Sequence, residues 1–155
     1  MPQRYALQAG SLADLRLQEF ELPAPSANEV SIAVRAIGLN FADVFAIWGL
    51  YGATPKGEFT PGLEYAGEVL AVGEGVGHLR PGDRVMGVTR FGAYTTHLNI
   101  DARYAIPLPA DCLGKTNGIT RATFGTAPHV PFYAAWATVK LGTRKCSKVG
   151  RFGKS

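Results

Sequence analysis

A glycine-rich run is the first feature of the sequence whose composition could support chemistry. Residues 73–77 read Gly-Glu-Gly-Val-Gly, the composition of a phosphate-binding loop. A dinucleotide loop needs the spacing Gly-x-Gly-x-x-Gly with a helix directly behind it, so that helix N–H groups meet the pyrophosphate. Gly75 and Gly77 have the wrong spacing, and Pro81 and Gly82 follow too soon for a useful helix. The run therefore predicts a turn between strands.

Histidine and cysteine are the other candidates for chemistry, as metal ligands. His78, His97 and His129 have no second His or Cys at ligand spacing. Cys112 and Cys146 lack Cys-x-x-Cys spacing and are too few for a disulfide framework. A Gly-x-Ser-x-Gly elbow, a Walker A loop and a His-Glu-x-x-His helix are all absent from the sequence. The residues taken one by one thus predict no metal site.

Alternating apolar and polar residues predict a chain made mainly of strands. Alternation with period two is the signal of a half-buried strand. It predicts strands at residues 14–22, 30–36, 64–72, 84–88 and 93–100. Gly- and Pro-rich segments separate them, which favours a small barrel or a sandwich. The fold class that we predict is mainly β with short helices.

One helix is predicted between Asn40 and Gly49. Phe41, Val44, Phe45 and Trp48 have helical spacing, and Asn is among the best residues for a helix N-cap. Asp43 would lie in the first turn, where an acidic side chain interacts favourably with the helix dipole. Gly49 is expected to end this helix.

Composition and charge exclude some classes of protein. The chain has 155 residues, of which 46% are hydrophobic and 18% charged. No run approaches the roughly 18 apolar residues of a membrane helix, and no signal-peptide core follows the N-terminus, so a cytoplasmic protein is expected. Residues 1–110 carry a net charge of −3, whereas residues 111–155 hold eight Lys and Arg against Asp111. The basic balance is therefore a property of the tail.

An ordered series of short motifs resembles a known family. The motifs are Gly-Leu-Asn-Phe-Ala-Asp at 38–43, Gly-Leu-Tyr at 49–51, Pro-Gly-Leu-Glu-Tyr-Ala-Gly-Glu-Val at 61–69, Val-Gly-Glu-Gly-Val at 72–76 and Pro-Gly-Asp-Arg-Val at 81–85. The series resembles the N-terminal, GroES-like domain of the medium-chain dehydrogenase/reductase superfamily. Its nearest likeness is to the zinc-independent quinone oxidoreductase branch, in the vesicle amine transport protein-like subgroup. The resemblance implies a small GroES-like β-barrel over residues 1–110.

The resemblance also implies that no catalytic zinc is bound. Zinc members of the superfamily have a Cys and a His where this chain has Asn40 and Leu63. A catalytic zinc needs about three protein ligands, and neither an amide nor an aliphatic side chain replaces a thiolate or an imidazole. Glu64 alone cannot hold the ion. The chain is expected to be a metal-free member.

The function implied by the resemblance is hydride transfer from NADPH to a quinone or an activated alkene. Asn40 and Tyr51 are then the candidate catalytic residues, and Asn40 and Phe45 the candidate cofactor contacts. Phe45 replaces a Tyr that is frequent in relatives, so a hydroxyl is lost there. Two alternatives remain open at this stage, since Asn40 could serve only as a helix cap and Tyr51 could only cover the core. Asp43 and Glu64 are expected to be structural.

After residue 110 the chain departs from the family pattern. Relatives continue into a Rossmann nucleotide-binding domain, which the resemblance does not extend to here, so a truncated or divergent segment is expected at 111–155. Within it, Pro131 and Gly142 favour a helix over residues 131–141. The last sixteen residues, six of them Lys or Arg, form a basic tail.

An alternative function follows from this tail. The chain would be a non-catalytic interaction module whose tail binds an acidic partner, although nothing in the tail predicts specific nucleic-acid recognition.

Without a nucleotide-binding domain, apolar surface is expected to be exposed around the residues Phe41, Phe45, Trp48, Phe132 and Trp136. Large apolar patches promote association, so a homodimer or an aggregation-prone chain is expected.

Overall fold

A long antiparallel strand pair organises the structure. The computed structural model describes residues 1–108 and 138–140. In these ranges the elements are β1 (Gln3–Gln8), β2 (Arg16–Glu19), β3 (Glu29–Gly38), α1 (Phe41–Ile47), β4 (Glu58–Phe59), β5 (Glu64–Val72), β6 (Arg84–Val88), β7 (His97–Asp101), β8 (Ile106–Pro107) and β9 (Thr138–Lys140). The fold in this part of the chain is mainly β, as predicted.

The larger sheet has the strand order β7-β3-β5-β6-β8, and all of its pairs are antiparallel. β3 pairs with β5 from Val30 to Gly38, with two register shifts. On its other edge, β7 pairs with Glu29–Ala33 and β9 with Ala36–Gly38. The hydrogen-bonded path through the described strands stops at β7 on one side and β8 on the other. The predicted barrel is therefore open at this seam, where a 3-10 turn, Ala102–Tyr104, connects the two strands.

The core lies on one face of this sheet. Val30 and Ile32 of β3 are fully buried, and they pack with Tyr65 and Val69 of β5 and Val85 of β6. β-Branched and aromatic side chains suit a pleated, buried surface, which explains why these segments form strands. The Tyr65 hydroxyl donates to the carbonyl of Tyr104 at 3.0 Å, so its polar end is satisfied inside the core.

A smaller sheet, β2-β1-β4, supports the helix. α1 packs through Ala46 and Ile47 against Leu7 of β1 and Phe59 of β4, in a second apolar cluster. Gly49 ends the helix at φ +73°, a conformation that favours glycine.

Two hydrogen bonds complete this helix end. The Gly49 N–H donates to the Ala46 carbonyl at 3.0 Å, and the Leu50 N–H donates to the Phe45 carbonyl at 2.8 Å. This pair of bonds is the Schellman arrangement, and it confirms the predicted end of the helix.

The turn at residues 73–77 is confirmed as a connection between strands. The Gly73 N–H donates to the Glu29 carbonyl and the Gly75 N–H to the Ala27 carbonyl, each at 2.8 Å. A Cβ on Gly73 would collide with the Ser26 carbonyl oxygen. Close backbone packing thus requires a glycine at Gly73, and the N–H groups of Gly73 and Gly75 are already used within the protein.

Several predicted boundaries differ from the structure. β5 and β6 have the predicted bounds, whereas the strand predicted at 93–100 begins only at His97. The reason is that the N–H groups of Ala93 and Tyr94 donate to the carbonyls of Gly62 and Pro61, outside any ladder. The alternation pattern does not predict β1. These differences arise from contacts between segments far apart in the sequence.

The helix predicted over residues 131–141 is wrong at its end, because residues 138–140 form β9. The edge of β3 beyond the end of β7 offers unpaired N–H and C=O groups, and β9 pairs with them. The rest of that predicted helix, Cys112, Cys146, His129, Phe132, Trp136 and the basic tail lie outside the described residues.

The close pairing of β3 and β5 predicts that no residue larger than glycine fits at Gly67. A Cβ on Gly67 would collide with the Ala33 carbonyl oxygen and would lie 2.7 Å from Cγ2 of Ile32. We expect Gly67→Ala to lower the free energy of unfolding by about 3 kcal/mol in urea denaturation, because the two strands must separate. Gly52→Ala is the control, since a Cβ added at Gly52 would have no atom within 4 Å. Equal stability of the two variants would contradict this packing.

Candidate functional site

Asn40 lies at the junction of the large sheet and the helix. β3 ends at Gly38, and Asn40 is the N-cap residue of α1, with φ −122° and ψ 154°. Its backbone N–H donates to Oδ2 of Asp43 at 2.8 Å. Its side-chain nitrogen Nδ2 is buried and has no hydrogen-bond partner among the described residues. Asn40 is therefore a helix cap that also carries an unused pair of N–H donors.

Asp43 is a buried carboxylate at this junction, with 2% of its surface exposed. Oδ2 accepts the Asn40 N–H and the hydroxyl of Tyr94, the latter at 3.1 Å. Oδ1 is buried without a partner in the described part of the chain. Burial raises the pKa of Asp43 to about 6, against the lowering effect of its two hydrogen bonds, and the charge of Glu64 raises it further. The predicted role of Asp43 at the helix start is confirmed, but the side chain also lies in a polar cluster.

Tyr94 is the member of this cluster that sequence reasoning missed. The alternation pattern places it only within a predicted strand, whereas its N–H is bonded to Pro61 and its hydroxyl to Asp43. Burial raises the pKa of Tyr94, and the negative charge of Asp43 adds to that effect, so the side chain is a neutral donor. Gly62, at φ +100°, makes room for it, because a Cβ there would lie 2.7 Å from the Tyr94 nitrogen. A tyrosine within a predicted strand of a small domain often needs a partner for its hydroxyl, and this need was the available signal.

Glu64 is a second carboxylate buried at the same end of the sheet. It is 8% exposed and pairs in register with Gly38 across β3 and β5. Its Oε2 would lie 2.5 Å from a Cβ on Gly38, so a larger residue there would displace the Glu64 carboxylate. Asn40, Asp43, Tyr94 and Glu64 thus form one polar cluster, which we call the junction cluster.

The two aromatic candidates lie in different ring pairs. Phe45 is 47% exposed on α1, and its ring meets the Trp48 ring edge to face at 6.3 Å. Tyr51, which follows the helix and is 40% exposed, packs edge to face on Phe91 at 6.4 Å. Phe91 in turn packs on the apolar cluster that includes Ala46 and Phe59, so both sequence-based roles of Tyr51, contact with a ligand and cover of the core, stay predictions. The structure therefore places Asn40 and Phe45 on one helix and Tyr51 on a separate aromatic surface.

Other features of the described residues concern metals, membranes and cavities. No three His, Cys, Asp or Glu side chains among them are placed to hold a metal ion. Within the same residues, no helix has the length and apolar character needed to span a bilayer. Three cavities formed by described residues lie away from Asn40, beside His78, beside Arg4 and beside Glu68.

Comparison with known proteins identifies the family. Residues 26–110, more than half of the chain, match the alcohol dehydrogenase GroES-like domain. The chain belongs to this family. The predicted resemblance is thereby confirmed, and the junction cluster lies within the matched residues.

The relatives include quinone oxidoreductase-like proteins of the medium-chain dehydrogenase/reductase type. The synaptic vesicle membrane protein VAT-1 homolog of Mus musculus is 44% identical over 87 residues, which cover 56% of this chain and 21% of the relative. The quinone oxidoreductase-like protein 2 of Mus musculus is 34% identical over 113 residues, covering 73% of this chain and 32% of the relative. The chain thus spans between a fifth and a third of the length of these relatives.

A solved structure supports the same assignment. The crystal structure of Escherichia coli quinone oxidoreductase complexed with NADPH matches with a TM-score of 0.66 and 38% sequence identity. The match covers 70% of this chain and 33% of that one. The GroES-like fold of the described residues is therefore shared with a quinone oxidoreductase.

The buried state of Asp43 predicts a characteristic dependence of stability on pH. Its pKa is raised from 3.8 to about 6 in the folded chain, so the folded chain binds this proton more tightly than the unfolded chain. Protonation of Asp43 therefore adds to the free energy of unfolding. This contribution is complete below about pH 4 and is lost as the pH rises towards 6, which lowers the free energy of unfolding by roughly 3 kcal/mol. We expect Asp43→Asn to lack this fall when urea unfolding is measured from pH 4 to pH 7.

Asp83→Asn is the matched control for this measurement. The Asp83 carboxylate also accepts a backbone N–H from three residues earlier, that of Arg80 at 2.9 Å, but its side chain is 32% exposed. This variant should follow the wild-type curve. A fall of the same size in Asp43→Asn as in the wild type would contradict the assignment to Asp43.

Proposed function

We propose that the chain contributes the substrate-facing domain of a metal-independent, NAD(P)H-dependent oxidoreductase that reduces quinones or activated alkenes. The support is the family membership together with relatives that are named quinone oxidoreductases. Asn40 and Leu63 stand where a zinc enzyme would need ligands, which supports a metal-free reaction. The observation that carries the proposal is the unpartnered Nδ2 of Asn40 beside the junction cluster.

The residues present fit a nicotinamide cofactor. An unpaired buried donor costs free energy, and an acceptor oxygen of a bound ribose or carboxamide would remove that cost. Phe45 is exposed on the same helix and offers an apolar ring surface to such a ligand. When bound, the cofactor supplies the hydride, while the protein supplies position and electrostatics. Asn40 and Phe45 are therefore the proposed cofactor contacts.

Tyr51 is the proposed contact for the substrate, and with Asn40 it forms the proposed catalytic pair. Its ring is half exposed and rests on Phe91, so one face of the ring is supported while part of the side chain is open to a ligand. Its phenol can donate a hydrogen bond to a quinone or enone oxygen. Phe45 cannot supply such a bond. We propose that Tyr51 orients the carbonyl oxygen and that Asn40 orients the nicotinamide.

The chain by itself is expected to bind NADPH weakly and to turn over slowly. Hydride transfer needs the reacting atoms held about 3–3.5 Å apart. The chain spans only a third of the Escherichia coli enzyme that is complexed with NADPH. A cytoplasmic location also belongs to this proposal.

The interaction module is the second candidate function. The observation in its favour is the excess of positive charge over residues 111–155, where Asp111 is the one acidic residue. An acidic partner would be bound electrostatically, and salt would weaken the complex. Binding of this kind without binding of NADPH would favour the module over the reductase.

The proposed role of Asn40 predicts that its cap and its ligand contact can be separated. Asn40→Ser keeps a good N-cap residue and removes the two N–H donors of the amide. We expect this variant to unfold at nearly the wild-type urea concentration but to bind NADPH about tenfold more weakly, as one lost hydrogen bond allows. Fluorescence titration with NADPH measures the affinity.

The control for this titration is Asn99→Ser, at another half-buried asparagine whose amide donates to the Pro23 carbonyl. It should leave the NADPH affinity unchanged. Equal affinities of the wild type and Asn40→Ser would show that Asn40 serves only as a cap.

A homodimer is proposed from the exposed apolar side chains of α1. Phe41, Phe45 and Trp48 are each about half exposed and lie within eight residues of one another. We expect the chain to self-associate in sedimentation velocity, and the double variant Phe45→Ser/Trp48→Ser to shift the distribution towards monomer. Leu17→Ser is the control, because Leu17 is similarly exposed, at 55%, but belongs to β2 and not to α1. A monomeric wild type at high concentration would contradict the dimer.

A further inference from the structure

Two unpartnered buried polar atoms occur in one capping interaction. Nδ2 of Asn40 and Oδ1 of Asp43 are both buried without a partner among the described residues. These two residues are nevertheless joined by a short bond, from the Asn40 N–H to Oδ2 of Asp43 at 2.8 Å. Unmade bonds of buried groups are costly, so this arrangement is not explained by the stability of the helix alone.

Tyr94 is bonded to the same oxygen from outside the helix. Its hydroxyl donates to Oδ2 of Asp43 at 3.1 Å, across 51 residues of sequence. The Tyr94 backbone is itself fixed, because its N–H donates to the Pro61 carbonyl at 2.9 Å and Gly62 packs against it. The carboxylate is thus held between the Tyr94 hydroxyl and the N-cap residue of the helix, which restrict its rotation.

We propose that Tyr94 is a positioning residue, whose hydroxyl acts through the Asp43 carboxylate to fix the backbone of Asn40 and the direction in which the Asn40 amide is presented. The proposal deepens the proposed function, on which it rests in so far as Asn40 contacts the bound ligand. Tyr94 itself touches neither substrate nor cofactor. Its role requires that Asp43 be ionised, because a carboxylate accepts two hydrogen bonds at one oxygen more strongly than a neutral acid does.

The charge state of Asp43 therefore controls the chain of contacts from Tyr94 to Asn40. The groups that act on it are Tyr94, through the hydrogen bond, and Glu64 of β5, through its charge. Tyr94 lowers the pKa of Asp43, whereas burial and Glu64 raise it. Loss of the Tyr94 hydroxyl should accordingly raise the pH at which Asp43 takes up its proton, and loosen Asn40 at neutral pH.

The test is an NMR titration of the full chain with the Asp carboxyl carbons labelled. In the wild type we expect the Asp43 carbon and the backbone amide proton of Asn40 to titrate together, with a midpoint near pH 6. In Tyr94→Phe the shared midpoint should rise by about one pH unit, since one hydrogen bond to the charged form is lost. These readouts need no ligand, so they remain decisive even if the chain binds no NADPH.

Tyr65→Phe is the matched control. Tyr65 is also buried and its hydroxyl makes one hydrogen bond, to the Tyr104 carbonyl, with no bond to Asp43. Its loss should leave the Asp43 midpoint unchanged. An unchanged Asp43 midpoint in Tyr94→Phe would overturn the proposal. The proposal would also be overturned if the Asn40 amide of the wild type did not titrate with Asp43. This second measurement uses only the wild type, so the test remains decisive if Tyr94→Phe fails to fold.

A binding measurement separates this inference from the proposed function. If the chain binds NADPH, affinity should fall as the pH drops through 6 in the wild type, and the midpoint of that fall should move upwards with Tyr94→Phe but not with Tyr65→Phe. If Asp43 and the Asn40 amide titrate together but the chain binds no NADPH, the proposed function is contradicted and the positioning role stands. Binding whose pH profile ignores Tyr94→Phe would overturn the positioning role and leave the function standing.

Discussion

The pairing of β3 with β5 is the constraint on which the junction cluster depends. It sets Gly38 opposite Glu64, and the chain then needs only two more residues to reach the start of α1. A slip of one residue would turn every side chain of β3 to the opposite face of the sheet. Glycine at Gly38 and Gly67 permits the close approach of strands and carboxylate. Backbone geometry thus fixes the place of the cluster, and the side chains supply its chemistry.

The junction cluster lowers the stability of the folded chain. A buried carboxylate with a raised pKa, and two buried polar atoms without partners in the described residues, all weaken the folded state. Natural proteins break local rules of this kind at functional sites and compensate elsewhere. The compensation here lies in the apolar core around Val30, Ile32 and Tyr65. The unpartnered atoms belong to Asn40, the residue that we propose to contact the ligand, and to Asp43 beside it.

Much of the fold could be predicted from the sequence, because its signals are local. Alternation predicts β5 and β6 with their bounds, and Gly49 marks the end of α1. β1 and β9 could not be predicted, since β1 depends on partners at β2 and β4 and β9 on a free edge of β3. The family could be predicted from the order of the short motifs, because no single motif is specific enough to establish it.

The site itself was harder to predict than the fold. Asn40 was found through its motif, and Asp43 through its position in the helix. Tyr94 was missed, because its bond to Asp43 joins two segments that no local pattern connects. Roles for Phe45 and Tyr51 came from resemblance alone, and their separate ring pairs could not be inferred from spacing.

The short strand β9 shows how a later segment of the chain can reach the junction cluster. Its bonds to Ala36–Gly38 are made between main chains, so they do not depend on which side chains the arriving segment carries. Any extended segment that attaches at this position lies within a few residues of Asn40. The edge of β3 can therefore pair with extended segments of different sequence, and each of them would lie near the junction cluster.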